Sequence, residues 1–316
     1  MNALALQVAG SARTRHESFP DLVCKLNEVS VRKYYQAYKD VAWDAEESRI
    51  DRRDPRFCLA PEHPLGGSDW YLALPADTRA QLGLELMCQG AKFGTSFESV
   101  LSRGLLEFSR TIDNRSPLYR YALHEVIEES QHSLMFQEFI NRSGCDPHDV
   151  SRLTRWLDRF VVASGSMFPE LFFFFVLGGE IFFDHDNRVM LERRDQLHPL
   201  LARILQIHVT EEARHVCFAQ RYLQAHLPRL GSTKRRVLQL AVPHILRGAA
   251  EMTVYPAARI VRSYGIPRRV LDRAYAADAP FRAGLREVAR PVLALLDTPA
   301  DHTPHSPRLR STSLTV

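Results

Sequence analysis

The sequence predicts an all-α fold in which long helices pack side by side as a bundle. Strand signals are scarce, because no run of alternating Val, Ile or Thr is bounded by hairpin turn residues. Helix signals are frequent, and Pro, Gly and capping residues separate them clearly. Several of the periodic segments extend for 25 residues or more between short connections, which favours a bundle.

The first half of the chain contains three of the predicted helices. An amphipathic pattern covers residues 20–40, and a Pro-rich connection follows at 50–75. A long helix is expected over 76–110, although Gly83, Gly90 and Gly94 weaken its intrinsic propensity. A Ser-Pro pair opens the next helix, over 117–142, and Gly144 should stop it.

The second half contains the remaining helices. They are predicted over 147–163, 168–193, 199–226, a basic stretch from Ser232 that is kinked at Pro243, 267–277 and 281–296. The tail 298–316 is rich in Pro, Ser, Thr and His, and we expect it to be disordered. The sequence therefore predicts eight or nine helices in a single domain over 1–297.

Composition excludes several classes of protein. A chain of 316 residues with 45% hydrophobic residues can bury a sizeable core, so wholesale disorder is excluded. A formal net charge of +4 and only short basic clusters give no sign of a nucleic-acid binder. Five scattered Cys, no Cys-x-x-Cys pair and no basic n-region argue against a disulfide framework, a zinc ribbon and a signal peptide. We expect a cytoplasmic protein with reduced thiols.

The most apolar segment of the chain is the Phe-rich run that ends at Leu177. A helix needs about 20 apolar residues with few charges to cross a membrane. Glu170 and Glu180 bracket a much shorter run here. We therefore expect a helix buried in the protein and no membrane partner.

Glu180 lies within this Phe-rich helix. A lone carboxylate among aromatic side chains is costly unless it is paired, protonated or bound to a metal ion. The alternative is a carboxylate that faces solvent between apolar turns. Gly178 and Gly179, directly before Glu180, would allow the close approach of another backbone or a ligand.

Two Glu-x-x-His sequences occur in the chain. They are Glu129 with His132 and Glu212 with His215, and each pair shares one face of a predicted helix. His208 lies four residues before Glu212 and extends the second pair into a stripe. One such pair could be an exposed helical contact worth a few tenths of a kcal/mol.

The spacing of two further carboxylates favours a metal centre. Glu98 lies 31 residues before Glu129, and Glu180 lies 32 residues before Glu212. Each half therefore repeats a carboxylate, about one long helix and a Glu-x-x-His pair, as in ferritin-like dinuclear carboxylate proteins. The sequence predicts a ferritin-like bundle in which additional helices surround a four-helix metal-binding core.

The chemistry of these ligands is consistent with iron. Carboxylates can bridge two hard cations, and neutral imidazoles suit iron while they moderate the negative charge. The set contains no thiolate, which disfavours an iron–sulfur cluster. The zinc-protease pattern His-Glu-x-x-His is absent, because Glu128 stands where the second His would be after His124.

The residues beside the proposed ligands leave alternatives open. Glu128 and Glu211 directly precede the Glu of each pair. They could orient a ligating imidazole across the bundle, or they could be solvated. Arg214 could pair with one of them or lie on the surface.

The ligand pattern resembles that of the diiron arylamine N-oxygenases, typified by p-aminobenzoate N-oxygenase. The resemblance covers residues 70–265 and is most specific at Ile207-His-Val-Thr-Glu-Glu-Ala-Arg-His-Val-Cys-Phe-Ala219. His208 occupies the place of a third His, which other ferritin-like carboxylate proteins lack. The implied metal ligands are Glu98, Glu129, His132, Glu180, His208, Glu212 and His215. Many ferritin-like proteins have Asp where this chain has Glu128 and Glu211, which reach further.

The resemblance also implies an activity and partners. It implies a monooxygenase with two iron ions, O2 as co-substrate and an external electron donor, either a protein or a small reductant. The substrate would be a small-molecule amine, oxygenated to hydroxylamine, nitroso or nitro in natural-product biosynthesis. It further implies a homodimer.

Three other functions remain open at this point. A diiron C–H hydroxylase or a desaturase-type oxidase could use the same scaffold and ligands. A non-catalytic ferritin-like metal-binding protein is another class, although His208 and the additional helices argue against it. A radical-generating reductase subunit would need a Tyr near a ligand, and Tyr119 and Tyr121 are not obviously placed for that role.

Overall fold

The computed structural model describes residues 18–147, 152–276 and 279–300. These residues form eleven α-helices and no strand, which confirms the all-α prediction. The helices are α1 (Phe19–Arg32), α2 (Asp69–Leu72), α3 (Ala76–Ser109), α4 (Pro117–Ser143), α5 (Arg152–Met167), α6 (Pro169–Leu191), α7 (Pro199–His226), α8 (Ser232–Val254), α9 (Ala258–Ser263), α10 (Arg268–Ala274) and α11 (Pro280–Leu295). The tail that was predicted to be disordered lies outside the described residues from 301 onward.

The number of helices differs from the prediction of eight or nine. Two short helices, α2 and α9, were not predicted. The first begins where the hydroxyl of Ser68 accepts a hydrogen bond from the backbone N–H of Tyr71 at 3.2 Å. Such a cap is readable from the sequence, but the Pro-rich surroundings conceal a helix of only one turn.

The first predicted helix ends earlier than expected. α1 stops at Arg32 instead of residue 40, and the chain then turns across the bundle. The side-chain oxygen of Gln131 accepts the backbone N–H of Ala37 at 2.7 Å, and the indole of Trp43 donates to the carbonyl of Ala37 at 2.6 Å. These distant contacts satisfy the backbone groups that a longer helix would otherwise have paired.

Four helices form the centre of the bundle. α3 packs against α4 as one helical hairpin, and α6 packs against α7 as a second hairpin. α1 contacts α4 and α7, α5 contacts α3 and α6, and α8 and α11 pack on α6. The two hairpins correspond to the two halves of the sequence repeat.

Capping residues define both ends of α4. The hydroxyl of Ser116 accepts a hydrogen bond from the N–H of Leu118 at 3.2 Å, and Pro117 occupies the first turn. Gly144 ends the helix in the left-handed conformation with φ of 64°, which glycine adopts without strain. Both predicted ends are confirmed within one residue.

The Phe-rich helix α6 is buried in the core. Phe172, Phe173 and Phe174 are fully buried, and Phe173 meets Phe108 edge-on at 5.0 Å between ring centroids. No helix of the described ranges combines the length and the apolar character needed to cross a bilayer.

Gly179 allows an aromatic ring to approach α6. A Cβ atom at this position would overlap the ring of Phe97 from α3, whereas one at Gly178 would lie 3.1 Å from Ile245 of α8. Side chains of α3 and α8 therefore fill the space at the two glycines, where another backbone or a ligand was expected. The contact of Phe97 with Gly179 brings α3 close to the helix that carries Glu180.

We expect Gly179→Ala to lower the free energy of unfolding by about 1–3 kcal/mol, because the added methyl group overpacks this contact. Gly90→Ala on α3 is the matched control, since nothing lies within 4 Å of the added Cβ atom. Urea unfolding of both variants measures the difference. Equal stabilities would contradict the close contact.

Candidate metal centre

The seven predicted ligand residues lie together inside the four central helices. Each of them is at most 1% exposed. α3 contributes Glu98, α4 contributes Glu129 and His132, α6 contributes Glu180, and α7 contributes His208, Glu212 and His215. That these residues bind iron stays a prediction, but their convergence is an observation.

Three groups of donor atoms lie close enough to hold an ion, with all atoms of a group within 4.8 Å of one another. The groups are Glu98 with His132, His208 and Glu212; Glu125 with Glu129 and His215; and Glu98 with Glu129 and Glu180. All seven predicted residues occur in them. Glu125 is an addition that the sequence did not predict.

The two Glu-x-x-His histidines present the same nitrogen to the centre. Nδ1 of His132 lies 3.1 Å from Glu129 and 3.2 Å from Glu212. Nδ1 of His215 lies 2.9 Å from Glu129 and 3.2 Å from Glu212. Nδ1 is therefore the atom available to a metal ion in both rings, and the two helical hairpins contribute equivalent halves.

The Nε2 atoms of these two histidines face away from the centre and contact carboxylates of the opposite hairpin. Nε2 of His132 lies 3.0 Å from Glu211, and Nε2 of His215 lies 2.8 Å from Glu128. A carboxylate in this position fixes the tautomer with the proton on Nε2 and makes Nδ1 more basic. The adjacent Glu residues therefore orient the imidazoles across the bundle.

Arg214 connects these two carboxylates. Its Nη2 lies 2.9 Å from Oε1 of Glu128 and 3.4 Å from Oε1 of Glu211. Glu128 and Glu211 are at most 2% exposed and Arg214 is 5% exposed. Burial excludes the solvated alternative for both carboxylates and the surface alternative for the arginine. Burial alone would raise the pKa of Glu128, but its contacts with His215 and Arg214 lower it.

His208 has the opposite orientation. Its Nε2 faces the centre, 3.4 Å from Glu98 and 3.6 Å from Glu212. Its Nδ1 lies 3.2 Å from the side-chain amide of Asn187, which is 1% exposed. Asn187 was not predicted as part of the site, although its position seven residues after Glu180 places both on one face of α6.

The site carries more negative charge than its imidazoles can balance. Burial, followed by the charge of neighbouring carboxylates, raises the pKa of Glu98 and Glu180 well above the ordinary value. Burial would lower the pKa of His132, but the surrounding carboxylates raise it well above the ordinary value. Such a cluster favours bound cations.

Several carboxylate oxygens of the cluster are buried without a hydrogen bond from any part of the chain that the structure describes, as expected for the ligands of a metal centre. Both carboxylate oxygens of Glu180 and Oε2 of Glu98 are buried, and none of the three has a hydrogen-bond donor among the described residues. A buried anionic oxygen without a partner is costly, and coordination of a cation removes the cost. Four carboxylates and three imidazoles therefore fit two iron ions.

Glu125 is a further carboxylate of the centre. It lies one turn before Glu129 on α4, is fully buried, and neither of its oxygens has a hydrogen-bond donor among the described residues. Burial, as the largest cause, raises its pKa to about 8. The spacing of four residues was the signal that could have identified it.

A cavity of about 1050 Å³ lies beside the centre. Its lining includes Phe136, Phe183 and Asn187, all of which contact His208. Both Phe rings lie 5.2 Å from the imidazole, measured between ring centroids, and they meet each other edge-on at 5.8 Å. The cavity therefore approaches the His208 side of the centre behind an aromatic barrier.

An all-α bundle with buried carboxylates and imidazoles on four central helices defines a ferritin-like protein with a candidate dinuclear metal centre. Comparison with known families identifies the particular group. The profile of the p-aminobenzoate N-oxygenase AurF family matches residues 18–299, and the chain belongs to this family of oxygenases. The resemblance inferred from the ligand pattern is therefore confirmed.

The individual relatives of the chain do not identify a substrate, because the matched proteins are uncharacterized. The chain is 37% identical over 252 residues to the uncharacterized protein Rv0885 of Mycobacterium tuberculosis. The matched region covers 80% of this chain and 74% of that protein. The uncharacterized protein Mb0909 of Mycobacterium bovis matches with the same identity and the same coverage.

Proposed function

We propose that this protein is a diiron monooxygenase that oxygenates the nitrogen of an amine. The observation that carries the proposal is the convergence of four carboxylates and three imidazoles in one buried cluster, in a chain that belongs to an oxygenase family. The irons would be held by Glu98, Glu129, His132, Glu180, His208, Glu212 and His215. Glu125 offers a further oxygen on the His215 side of the cluster.

Bound iron would supply the redox chemistry. An amine, O2, two electrons and two protons give a hydroxylamine and water, and the electrons come from an external donor. We propose that this donor is a separate reductant, because the sequence carries no flavin or nicotinamide motif.

The protein's own residues would orient the ligands and exclude water. Glu128 and Glu211 hold the outer nitrogens of two imidazoles, and Asn187 holds that of His208. Phe136 and Phe183 line the cavity and both pack against His208, so that two aromatic rings would shield this imidazole from the cavity. Such a dry and rigid site prevents side reactions during oxidation.

The test combines metal analysis with product analysis. The protein is loaded anaerobically with ferrous iron, its metal content is measured, and it is then exposed to O2 with a panel of amines. We expect about two irons per chain and products that carry oxygen on nitrogen. One iron per chain, or zinc alone, would contradict the dinuclear site. Products with oxygen only on carbon would identify a hydroxylase instead.

A further inference from the structure

The two arginines that line the cavity already have carboxylate partners. Nε and Nη2 of Arg56 both donate to Asp54, and the Nε contact is 2.9 Å. Nη2 of Arg193 donates to Glu62 at 2.5 Å. Both guanidinium groups therefore have a carboxylate partner within the protein, and the part of the chain that the structure describes places no Lys in the cavity lining.

Histidine supplies no buried cation to the cavity either. Nδ1 of His63 accepts a hydrogen bond from the backbone N–H of Leu65 at 3.1 Å, so this nitrogen carries no proton. Burial lowers the pKa of His63 to about 4, which agrees with a neutral ring. The other lining histidine, His185, is exposed beside Asp186.

Acidic residues outnumber the arginines in the lining. Glu62, Asp186 and Glu192 face two arginines, and Asp186 forms no ion pair within the described part of the chain. Asp186 is exposed, so it marks the solvent end of the cavity. A surplus of one sign of charge attracts the opposite charge and repels its own.

The interior of the cavity is apolar and large. Met87, Ala91, Phe136 and Leu205 line it together with Phe183. Its volume of about 1050 Å³ lies at the upper end of the range for pockets that hold drug-sized ligands. It is therefore much larger than a single aromatic ring requires.

Two glycines contribute to this space. Gly90 of α3 and Gly284 of α11 both line the cavity, and nothing lies within 4 Å of a Cβ atom added to either. A side chain at either position would extend into open space. Both positions therefore allow the cavity to be filled without a clash in the core.

On the basis of the proposed function, we propose that the substrate is a drug-sized hydrophobic amine without a carboxylate. Its amino group points towards His208, its apolar body lies between α3 and α6, and its neutral or cationic far end lies near Asp186. A substrate such as p-aminobenzoate would leave its carboxylate unpaired here, because both lining arginines are occupied.

The test measures binding to the iron-loaded protein by calorimetry. Three probes share one skeleton and differ at the far end: 4-hexylaniline is neutral, 6-(4-aminophenyl)hexan-1-amine is cationic, and 6-(4-aminophenyl)hexanoate is anionic. We expect the neutral and cationic probes to bind at least about 10-fold more tightly than the anionic probe, and p-aminobenzoate to bind most weakly. Equal or tighter binding of the anionic probe would overturn the proposal.

Variants then locate the probes in the cavity. Asp186→Lys should tighten binding of the anionic probe at least about 10-fold relative to the neutral one, whereas the exposed control Asp195→Lys should not. Gly90→Leu and, independently, Gly284→Leu should weaken binding of the neutral and cationic probes while iron content stays unchanged. If either folded and iron-loaded variant binds these probes as the parent does, the cavity is not the binding site.

The outcomes separate this proposal from the proposed function. If hydrophobic amines bind tightly but no product carries oxygen on nitrogen, the cavity assignment is supported and N-oxygenation is contradicted. Oxygenation of amines that carry a carboxylate, with no binding of the hydrophobic probes, would support N-oxygenation and overturn the substrate class.

Discussion

Glu180→Leu is expected to abolish iron-dependent activity and to stabilise the metal-free protein. The carboxylate lies on the Phe-rich helix α6 and is fully buried, and no donor within the described ranges hydrogen-bonds to either of its oxygens. Such a group is costly unless it is protonated or bound to a cation. Its removal should therefore improve the apolar core while it destroys a metal ligand.

Glu180→Leu should change both iron binding and stability by a large amount. Iron content should fall below two per chain, and turnover should fall more than about 100-fold, since even residues behind the ligands change affinity or activity 10- to 100-fold. The free energy of unfolding of the metal-free protein should rise by about 1–3 kcal/mol. Chelator-treated protein is unfolded in urea, and iron is counted in reconstituted samples.

Glu170→Leu is the matched control on the same helix. Glu170 is 7% exposed and lies in the first turn of α6, and although its Oε2 accepts no hydrogen bond among the described residues, the Lys234 ammonium faces it at 4.0 Å. This variant should keep its iron and gain no stability. The ligand assignment is contradicted if Glu180→Leu binds two irons, or if both variants change stability equally.

The convergence of the candidate ligands could be predicted from the sequence because their spacing is a property of helices. A separation of 31 or 32 residues corresponds to one long helix and a turn, and the Glu-x-x-His pairs fix a helical face. Helical periodicity therefore predicted six of the converging side chains, whereas the family resemblance added His208 to the ligand set. The same reasoning predicted the ends of α4, since Pro117 and Gly144 act through the local backbone.

The contacts behind the ligands could not be predicted in the same way. Glu128 and Glu211 lie at the edge of the inward face, where helical periodicity permits either burial or solvation. The distance between the two hairpins decides the outcome, because each Glu reaches a His of the other hairpin. That distance depends on packing at positions such as Gly179, which a local pattern does not reveal.

Arg214→Met is expected to have the second large effect, through two carboxylates at once. The guanidinium lies 2.9 Å from Glu128 and 3.4 Å from Glu211, and all three groups are buried. No other cation of the described residues contacts both carboxylates, and removing Arg214 would leave each with only its imidazole partner. Breaking a buried ion pair by removing one partner costs about 3–5 kcal/mol.

In Arg214→Met, the affinity for iron should fall as well as the stability. An uncompensated carboxylate can take up a proton and no longer holds the Nε2 proton of the imidazole that faces it. We expect affinity to fall about 10- to 100-fold, as for other groups that orient metal ligands. Competition with a chelator measures the affinity, and urea unfolding of the metal-free protein measures the stability. Arg110→Met is the control, because its ion pair with Glu107 is exposed and should contribute little.

Adding Glu128→Gln and Glu211→Gln to Arg214→Met separates charge from orientation. The amides remove the buried charges, so much of the lost stability should return. Iron affinity should stay low, because a neutral amide oxygen is a weaker acceptor for the Nε2 proton than a carboxylate. Full recovery of affinity in the triple variant would show that Arg214 acts only by balancing charge and that Glu128 and Glu211 do not orient His215 and His132.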